Sequence, residues 1–247
     1  MDRISAQQSK LIKRLGLKKY RKIEGSFLIE GPKLFDELLS QDLFTLKEAF
    51  IAEELYAEKQ WDLSGFKYGL FPAKEVARYS ALKSSPGLIA IVSLLEARPK
   101  LEQGKGWTLV LDGINDPGNL GTLIRIADWY NLDQIICTED TADCYNSKVV
   151  QSTMGSLFRK TPQYYPREEI ASFLETQKNV FTADMQGKSL ETMQFPESGY
   201  LIMGSESHGP SQSLLSISER VTIAARGRAE SLNVAVAAGI ICSHIYT

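Results

Sequence analysis

The chain has 247 residues, of which 43% are hydrophobic, so it can build one large domain or two small ones with packed cores. Its formal net charge is only −2. Its three cysteines have neither the spacing of metal ligands nor that of a disulfide framework, which favours a reducing compartment, and we expect the cytoplasm. No apolar run reaches the roughly 18 residues of a membrane span, and we expect no signal peptide, because no apolar stretch follows the first basic residues.

The small net charge hides a basic block near the N-terminus. Eight Lys and Arg residues and no acidic residue lie between Arg3 and Ile23. Such a block is often a merely solvated surface. It can equally be a phosphate-binding face, because clustered cations gain affinity for nucleic acids by releasing counterions. The composition alone favours neither interpretation.

The sequence pattern predicts two α/β domains on either side of a polar stretch that contains Pro and Gly. We place the first domain at residues 1–96, a linker at 97–106 and the second domain at 107–247. The first domain should contain, in chain order, a basic helix, a strand at 27–29, a helix opened by Pro32, a strand around 49–51, a helix over 72–82 and a strand at 88–92. This module shows no catalytic constellation.

Apolar runs alternate more regularly with helical segments in the second domain. They predict strands near residues 107–112, 134–137, 179–183, 200–203 and 220–224. Strands that alternate with helices indicate a mainly parallel sheet. A last helix is predicted over residues 231–246, with Ser231 suited to its N-cap. Because apolar residues occupy nearly every side of this helix, we expect it to be buried in the core or in a subunit interface.

Three polar patches that contain glycine follow predicted strands of the second domain. They cover residues 115–121, 204–209 and 226–233. Ligand sites of open α/β sheets lie where strands end, so the patches predict one composite pocket. In the first patch, a turn launches a helix that Asn119 is suited to cap, and turn chemistry explains these residues without a ligand. It does not explain Arg125, whose position near the helix N-terminus suits a phosphate.

The chain lacks residues that several common kinds of catalytic and binding site require. Ser207, His208 and Gly209 resemble part of a hydrolase elbow, but Ser205 stands where that turn needs glycine. With only two histidines, a Ser-His-acid triad and a metal site are both poorly supplied. No P-loop is present, and no Gly-x-Gly-x-x-Gly follows the first strand of either domain. The side chains that remain to supply chemistry are Asn119, Arg125, Glu206, Ser231 and Asn233.

Taken in order, the three patches resemble the three motifs of the SpoU/TrmH family of RNA ribose 2'-O-methyltransferases. Residues 112–121 with Arg125 are similar to the first motif, 204–209 to the second and 230–237 to the third. Residues 148–156 are similar to a further family segment near the substrate path. In the first domain, residues 18–21, 27–31 and 85–90 resemble the ribosomal-protein-like RNA-binding module that is often fused to this catalytic domain. The resemblance covers nearly the whole chain.

The resemblance implies an α/β fold whose mainly parallel C-terminal sheet carries a trefoil knot, which sequence periodicity alone does not indicate. It implies S-adenosylmethionine as cofactor, no metal, and a homodimer whose interface would bury the last helix. We expect Gly204 to leave room where backbone and adenosine approach. Residues 223–226 depart from the Ile-Pro-Met pattern that is common in the family, which affects the expected shape of the adenine pocket. By similarity, the cofactor contacts come largely from the backbone, at Thr182, Ala183, Gly204, Ile223 and Leu232.

The resemblance also implies roles for the polar side chains. It implies that the ribose 2'-hydroxyl is surrounded by Asn119, Arg125, Glu206, Ser231 and Asn233. A neutral hydroxyl is a poor nucleophile, so the enzyme must align it with the methyl donor and help to remove its proton. Because arginine as a residue type stays protonated near neutral pH, we expect Arg125 to hold a phosphate or to stabilise the developing oxyanion. Removal of the proton would be shared with Glu206, a phosphate or water.

The fused module favours RNA binding as the role of the basic block, through Lys18, Lys19, Arg21 and Lys22, with Lys148 near the substrate path. It also favours ribosomal RNA over transfer RNA as the substrate. Three alternatives stay open: a transfer-RNA 2'-O-methyltransferase, a non-catalytic RNA-binding or ribosome-assembly protein with the same fold, and a serine hydrolase that uses Ser207.

Overall fold

The computed structural model describes residues 3–95 and 99–247. The described residues form two compact units, one within Met1–Ala97 and Tyr145–Phe158, the other within Arg98–Cys144 and Arg159–Thr247. The predicted boundary between the first domain and the linker lies outside the described residues. A division by chain order also separates residues 145–158 from the unit in which they pack, so the predicted limits of the domains stay a prediction.

The first unit is an α/β module. Its elements are α1 (Ala6–Leu15), α2 (Lys18–Glu24), β1 (Ser26–Glu30), α3 (Pro32–Leu39), β2 (Leu46–Ala52), α4 (Glu53–Lys59), β3 (Tyr68–Phe71), α5 (Ala73–Ala77) and β4 (Leu88–Ser93). The strands form one sheet with the order β1-β4-β2-β3, in which β4 is antiparallel to both of its neighbours and β3 is parallel to β2. Helix α4 and strand β3 were not among the predicted elements.

Two predicted helices of this unit have different bounds in the structure. The basic helix is split into α1 and α2, because Gly16 ends the first and Leu17 begins the second. The helix predicted over residues 72–82 ends at Ala77. Beyond it, the hydroxyl of Ser80 and the backbone N–H of Ala81 donate to the buried carboxylate of Glu30, at 2.5 and 3.0 Å. These bonds take the chain away from the helical path.

The second unit is built around a six-stranded sheet. The rest of the chain forms β5 (Trp107–Asp112), α6 (Pro117–Trp129), β6 (Gln134–Thr138), α7 (Ser147–Thr153), β7 (Gln163–Tyr165), α8 (Arg167–Leu174), β8 (Val180–Ser189), β9 (Gly199–Gly204), α9 (Gln212–Leu215), β10 (Glu219–Thr222) and α10 (Val234–Ile245). Of these, α7 packs in the first unit. The strand order is β10-β8-β9-β5-β6-β7, and every pair of neighbours is parallel. The predicted α/β fold with a parallel sheet is confirmed.

The strands of this sheet bring the three motifs to one edge. Strand β5 is buried along its whole length and pairs with β9 so that Asp112 lies opposite Gly204. Their carboxyl ends therefore release the first and second motifs side by side. The third motif follows β10 and leads into α10, which packs on α6 with Tyr130 and Tyr246 stacked at 5.7 Å between ring centroids. Within the described residues, no helix has the length and apolar character needed to cross a bilayer.

Candidate active site

The first motif starts at a helix N-terminus whose geometry depends on Asp116. The carboxylate of Asp116 accepts the backbone N–H of Asn119 at 2.8 Å, and Pro117 occupies the first helical position. The cap is therefore Asp116, and the expectation that Asn119 caps this helix was wrong. Because capping is done by Asp116, the side-chain amide of Asn119 is available for other contacts.

The third motif also ends in a helix cap. The Asn233 side-chain oxygen Oδ1 accepts the backbone N–H groups of Ala235 and Val236, at 3.0 and 3.3 Å. Helix α10 therefore begins after Asn233, and the expected cap at Ser231 was wrong. Since Oδ1 is held by the helix, Nδ2 must face away from it as a donor. It donates to Oδ1 of Asn119 at 2.9 Å.

The side-chain amide of Asn119 links the third motif to the second. Its Oδ1 accepts from Asn233, so its Nδ2 is the donor to Oε1 of Glu206. Helix α10, Asn233, Asn119 and Glu206 thus form one directed chain of hydrogen bonds that joins all three motifs. Oε2 of Glu206 makes no hydrogen bond within the described ranges 3–95 and 99–247. This oxygen is available to accept a proton or a hydroxyl hydrogen bond.

The second motif forms a tight turn at the end of β9. The backbone N–H of Gly209 donates to the carbonyl of Ser205 at 2.9 Å, and Gly209 adopts φ 66°. A Cβ atom at Gly204 would overlap the backbone of Gly209 and Pro210. Glycine is therefore required at position 204 because the chain folds back over this residue. The sequence had led us to expect that Gly204 leaves room for adenosine.

Arg125 and Ser231 lie apart from the hydrogen-bonded network. Arg125 follows Asn119 by six residues on α6, which is about 9 Å along the helix axis. Ser231 lies in the connection before α10. Both side chains are exposed, and neither makes a hydrogen bond or ion pair in the part of the chain that the structure describes. The structure thus brings together Asn119, Glu206 and Asn233 but not the other two predicted residues.

Four of the five predicted cofactor residues lie in or directly after three neighbouring strands, and Leu232 lies in the connection before α10. Thr182 and Ala183 belong to β8, Gly204 ends β9 and Ile223 directly follows β10. The pairing of β8 with β10 jumps from Thr182 to Lys188 while β10 advances by one residue, so Ala183 begins a bulge in β8. Backbone groups at such strand ends are where parallel sheets bind ligands.

The chemistry of these residues fits a cofactor held through the backbone. The hydroxyl of Thr182 is buried and shares a 2.5 Å hydrogen bond with Ser218, so this side chain is not available to a ligand. Leu232 is about half exposed and offers apolar surface beside the third motif. The residues present therefore fit S-adenosylmethionine, which has an apolar face and polar edges.

The predicted RNA contacts divide into exposed and buried side chains. Lys18, Lys19 and Lys22 are exposed on α2, and Lys148 is exposed on α7 in the same unit. Arg21 is only 4% exposed and donates to the carbonyl of Leu15 at 2.9 Å. Its guanidinium holds α2 against the end of α1, so Arg21 does not fit the predicted role in RNA binding.

The geometry around Ser207 does not support a serine hydrolase. Its hydroxyl lies 2.9 Å from Nδ1 of His208, but both residues are exposed neighbours on one turn. Ser207 has no left-handed backbone conformation such as a sharp nucleophile elbow requires. No carboxylate orients the His208 ring among the residues described.

Two functional features were not among the predictions from sequence, the helix cap at Asp116 and an ion pair of Asp112 with Arg167. Asp116 carries a cap signal, an Asp before Pro at a helix start, that could have identified it. Asp112 and Arg167 form an ion pair at 2.8 Å between residues far apart in the chain. Nothing in the local sequence indicates that pair.

Comparisons with known proteins agree with this geometry. The SpoU rRNA methylase family model matches residues 106–243, and a model of the MRM3-like substrate-binding domain matches residues 7–90. The chain is 32% identical to the 23S rRNA (guanosine(2553)-2'-O)-methyltransferase RlmP of Bacillus subtilis, over 97% of this chain and 96% of that protein. It is 31% identical to the 23S rRNA (guanosine-2'-O-)-methyltransferase RlmB of Ralstonia nicotianae, over 67% and 65% of the two chains.

Solved structures show the same fold. A TrmH-family protein from Porphyromonas gingivalis superposes with a TM-score of 0.87 at 32% identity, over 99% of this chain and 98% of that one. An rRNA methyltransferase from Sinorhizobium meliloti with bound S-adenosylmethionine superposes with a TM-score of 0.85 at 25% identity, over 99% and 97%. With its three motifs joined at one sheet edge and its sequence matched over this length, the chain belongs to the SpoU rRNA methylase family.

Proposed function

We propose that this chain transfers a methyl group from S-adenosylmethionine to a ribose 2'-hydroxyl of 23S ribosomal RNA. The observation that carries the proposal is the chain of hydrogen bonds from Asn233 through Asn119 to Glu206. The similarity to the Bacillus subtilis enzyme over nearly the full length supports 23S ribosomal RNA as the substrate. The S-adenosylmethionine in the Sinorhizobium meliloti structure supports the cofactor.

Glu206 is the group best placed to take the proton from the hydroxyl. Asn119 holds Oε1, so Oε2 accepts the hydrogen of the 2'-hydroxyl as the oxygen attacks. The amide of Asn119 cannot rotate without breaking its bond from Asn233, which keeps the carboxylate in one position. The contribution of this chain is alignment together with local proton acceptance.

Arg125 binds the phosphate next to the target ribose. Its exposed guanidinium has five N–H donors in a fork that matches a phosphate. Ser231 is proposed as a second polar contact to the same nucleotide. Both side chains stay available for RNA, since neither is used inside the described chain.

S-adenosylmethionine supplies a methyl group on a sulfonium that needs no further activation. The backbone at Thr182, Ala183, Gly204 and Ile223 would hold it, with Leu232 against its apolar face. This arrangement leaves the polar side chains of the motifs for the ribose. The trefoil knot expected for this sheet is part of the proposal.

The first unit supplies RNA affinity in this proposal. Its sequence matches a substrate-binding domain, and exposed Lys18, Lys19 and Lys22 offer charge for phosphates. Lys148, which lies on α7 of the same unit, adds a further cation. We propose the cytoplasm as the compartment, as expected from the cysteine pattern.

A homodimer is the assembly we propose. Val236 and Ile240 lie one turn apart on α10 and are exposed, and Trp129 at the end of α6 is 84% exposed. Apolar side chains collected on two packed helices mark an interaction surface. A second copy of the chain would bury the face of α10 that α6 leaves open.

The test is methyl transfer to separated RNA pools. The purified chain is incubated with S-adenosylmethionine that carries a radiolabelled methyl group, and with undermethylated 23S, 16S and transfer RNA. We expect label in 23S RNA alone, at a linkage that resists alkali because its 2'-oxygen is methylated. Asn233→Ser is the matched control, since serine still caps a helix but is too short to donate to Asn119.

Each other result points to a defined alternative. Label in transfer RNA would replace the proposed substrate by the transfer-RNA alternative. Absence of label in every pool, despite measured binding of S-adenosylmethionine, would support the non-catalytic RNA-binding protein. Full activity of Asn233→Ser would contradict the role given to the hydrogen-bonded network.

A further inference from the structure

Asp112 is a buried carboxylate at the end of β5. Its side chain is 2% exposed, and each of its oxygens has a partner. Oδ1 accepts from Nε of Arg167 at 2.8 Å, and Oδ2 accepts the backbone N–H of Ser211 at 2.6 Å. Burying a carboxylate this deeply is costly unless hydrogen bonds and an opposite charge compensate for its lost hydration.

Arg167 provides that charge from the first position of α8. While Nε donates to Asp112, Nη2 donates to Oδ2 of Asp140 at 2.5 Å, so the guanidinium joins the last residue of β5 to a residue that follows the neighbouring strand β6. These hydrogen bonds, to Asp112 and then to Asp140, raise the pKa of Arg167 above its usual range. The planar guanidinium of arginine can donate to two carboxylates in this way, whereas the ammonium group of lysine is one compact charge.

The segment that carries Glu206 is attached to Asp112 at both of its ends. It begins at Gly204, which lies opposite Asp112 in the pairing of β9 with β5. It ends at Ser211, whose backbone N–H binds the Asp112 side chain. Between these points, the bond from Gly209 to Ser205 closes a turn. Residues 205–211 therefore form a short loop that the bond from Gly209 to Ser205 closes and that the Asp112 carboxylate ties to the end of β5.

We propose that Arg167 is a positioning residue for methyl transfer, which orients Asp112 so that residues 205–211 hold Glu206 against Asn119. The inference rests on the proposed function, because Glu206 acts there as proton acceptor. Arg167 acts through Asp112 and the backbone of Ser211 and does not touch the RNA or the methyl donor. A displacement of about 1 Å at a reacting group can cost about 100-fold in rate.

The test compares Arg167→Gln with Arg167→Lys. With S-adenosylmethionine saturating, we expect Arg167→Gln to lower kcat about 10- to 100-fold while KM for RNA changes less than about threefold. Arg167→Lys restores the charge without the fork and recovers part of kcat. Amide hydrogen exchange of residues 205–211 becomes faster in Arg167→Gln without any RNA present. The matched control is Arg159→Gln, which removes another forked contact, to Asp128, in the same unit.

A double variant keeps the test decisive if Arg167→Gln fails to fold. In Asp112→Asn with Arg167→Gln, the Asn oxygen still accepts the N–H of Ser211, and no buried charge remains to be compensated. We expect this pair to fold and to regain most of the lost kcat. The proposal is overturned if Arg167→Gln keeps wild-type kcat and exchange, or if the folded double variant shows protected residues 205–211 but no recovery. If the wild-type chain itself labels no RNA, the proposed function fails, and the exchange measurement alone decides whether Arg167 holds the loop.

Discussion

At the scale of single residues, the candidate site depends on which way the amide of Asn119 points. Its oxygen accepts from Asn233 and its nitrogen donates to Glu206. Asn119→Asp places a second carboxylate against Glu206, and the two charges repel. We expect methyl transfer to fall about 10²- to 10⁴-fold in single-turnover assays.

The matched control for that variant is Asn119→Ala, which removes both hydrogen bonds without adding charge. We expect a smaller loss of rate than with Asp. Thermal unfolding checks that the Asp variant keeps its fold, since the helix dipole favours an acidic residue in the first turn of α6 while repulsion by Glu206 opposes it. Equal rates in the two variants would show that the orientation of Asn119 is not used to hold a carboxylate.

The prediction for Arg125 concerns the shape of its guanidinium group, because the proposed contact to a phosphate uses two parallel hydrogen bonds. Arg125→Lys keeps the charge but cannot bind a phosphate through two parallel hydrogen bonds. We expect kcat/KM for RNA to fall about 10- to 100-fold, with the affinity for S-adenosylmethionine unchanged in equilibrium binding. A lysine variant with the wild-type transfer rate would contradict the forked contact.

The sequence predicted the polar residues of the site better than it predicted their partners. Asn119, Glu206 and Asn233 were identified from motifs, and the structure joins them. The burial of Arg21 was not predictable in the same way, because its guanidinium binds the backbone at the end of α1. Side-chain contacts between elements depend on packing, which a motif does not encode.

At the scale of elements, α2 carries the charge proposed to bind RNA. The triple variant Lys18→Gln, Lys19→Gln and Lys22→Gln removes three exposed cations and leaves the buried Arg21 intact. We expect weaker binding and a salt dependence whose slope drops by about 0.7 to 0.9 per lost phosphate contact. Filter binding between about 50 and 200 mM salt measures the slope.

The control replaces three exposed lysines of the same unit that lie outside α2, namely Lys33, Lys74 and Lys83. It changes the net charge equally, so a general effect of charge would lower both slopes alike. An unchanged slope in the α2 variant would remove this helix from the RNA-binding surface.

We expect the free energy of unfolding to depend on pH through Cys242, a buried residue of α10. Burial raises the pKa of this thiol from 9.0 to about 12. Between these values the unfolded chain releases the proton and the folded chain keeps it. The stabilising contribution is therefore complete below about pH 9 and is lost as the pH rises towards 12, by at most about 1.4 kcal/mol per pH unit.

Cys242→Ala should flatten the fall in the free energy of unfolding above pH 9, measured by urea denaturation at several pH values. The slope with pH is compared, because the smaller side chain also leaves a cavity that lowers stability at every pH. Identical slopes in the variant and the wild type would show that the thiol ionises equally in both states.

The bounds of helices and strands were predicted correctly where a continuous apolar run marks the element. They were predicted wrongly where a contact with a distant part of the chain ends the element. Strand β5 was predicted with its observed bounds. Strand β7 has only three residues, too few for a period to be recognised. Helix α5 stops early because the next residues bind Glu30, which lies far away in the sequence.

At the scale of the whole molecule, chain order is a poor guide to which residues pack together. Residues 145–158 follow β6 of the second unit in the sequence yet pack in the first. In that unit, the side chain of Gln151 donates to the carbonyl of Glu30 at 3.0 Å, and the rings of Tyr145 and Phe27 lie 4.7 Å apart. Contacts between residues so far apart in the chain cannot be recognised in the sequence. The boundary between the domains was therefore predicted from the composition of the linker alone.

The proposed dimer makes the last prediction. Val236→Glu puts a charge on the exposed apolar face of α10, and burying an unpaired charge in an interface is strongly unfavourable. We expect the variant to be monomeric in light scattering at concentrations where the wild type is dimeric. Leu43→Glu is the matched control, because Leu43 is 59% exposed and belongs to the first unit, whereas α10 belongs to the second. A monomeric wild type would contradict the dimer, whereas dissociation by both variants would mean that charge alone, and not the face of α10, controls association.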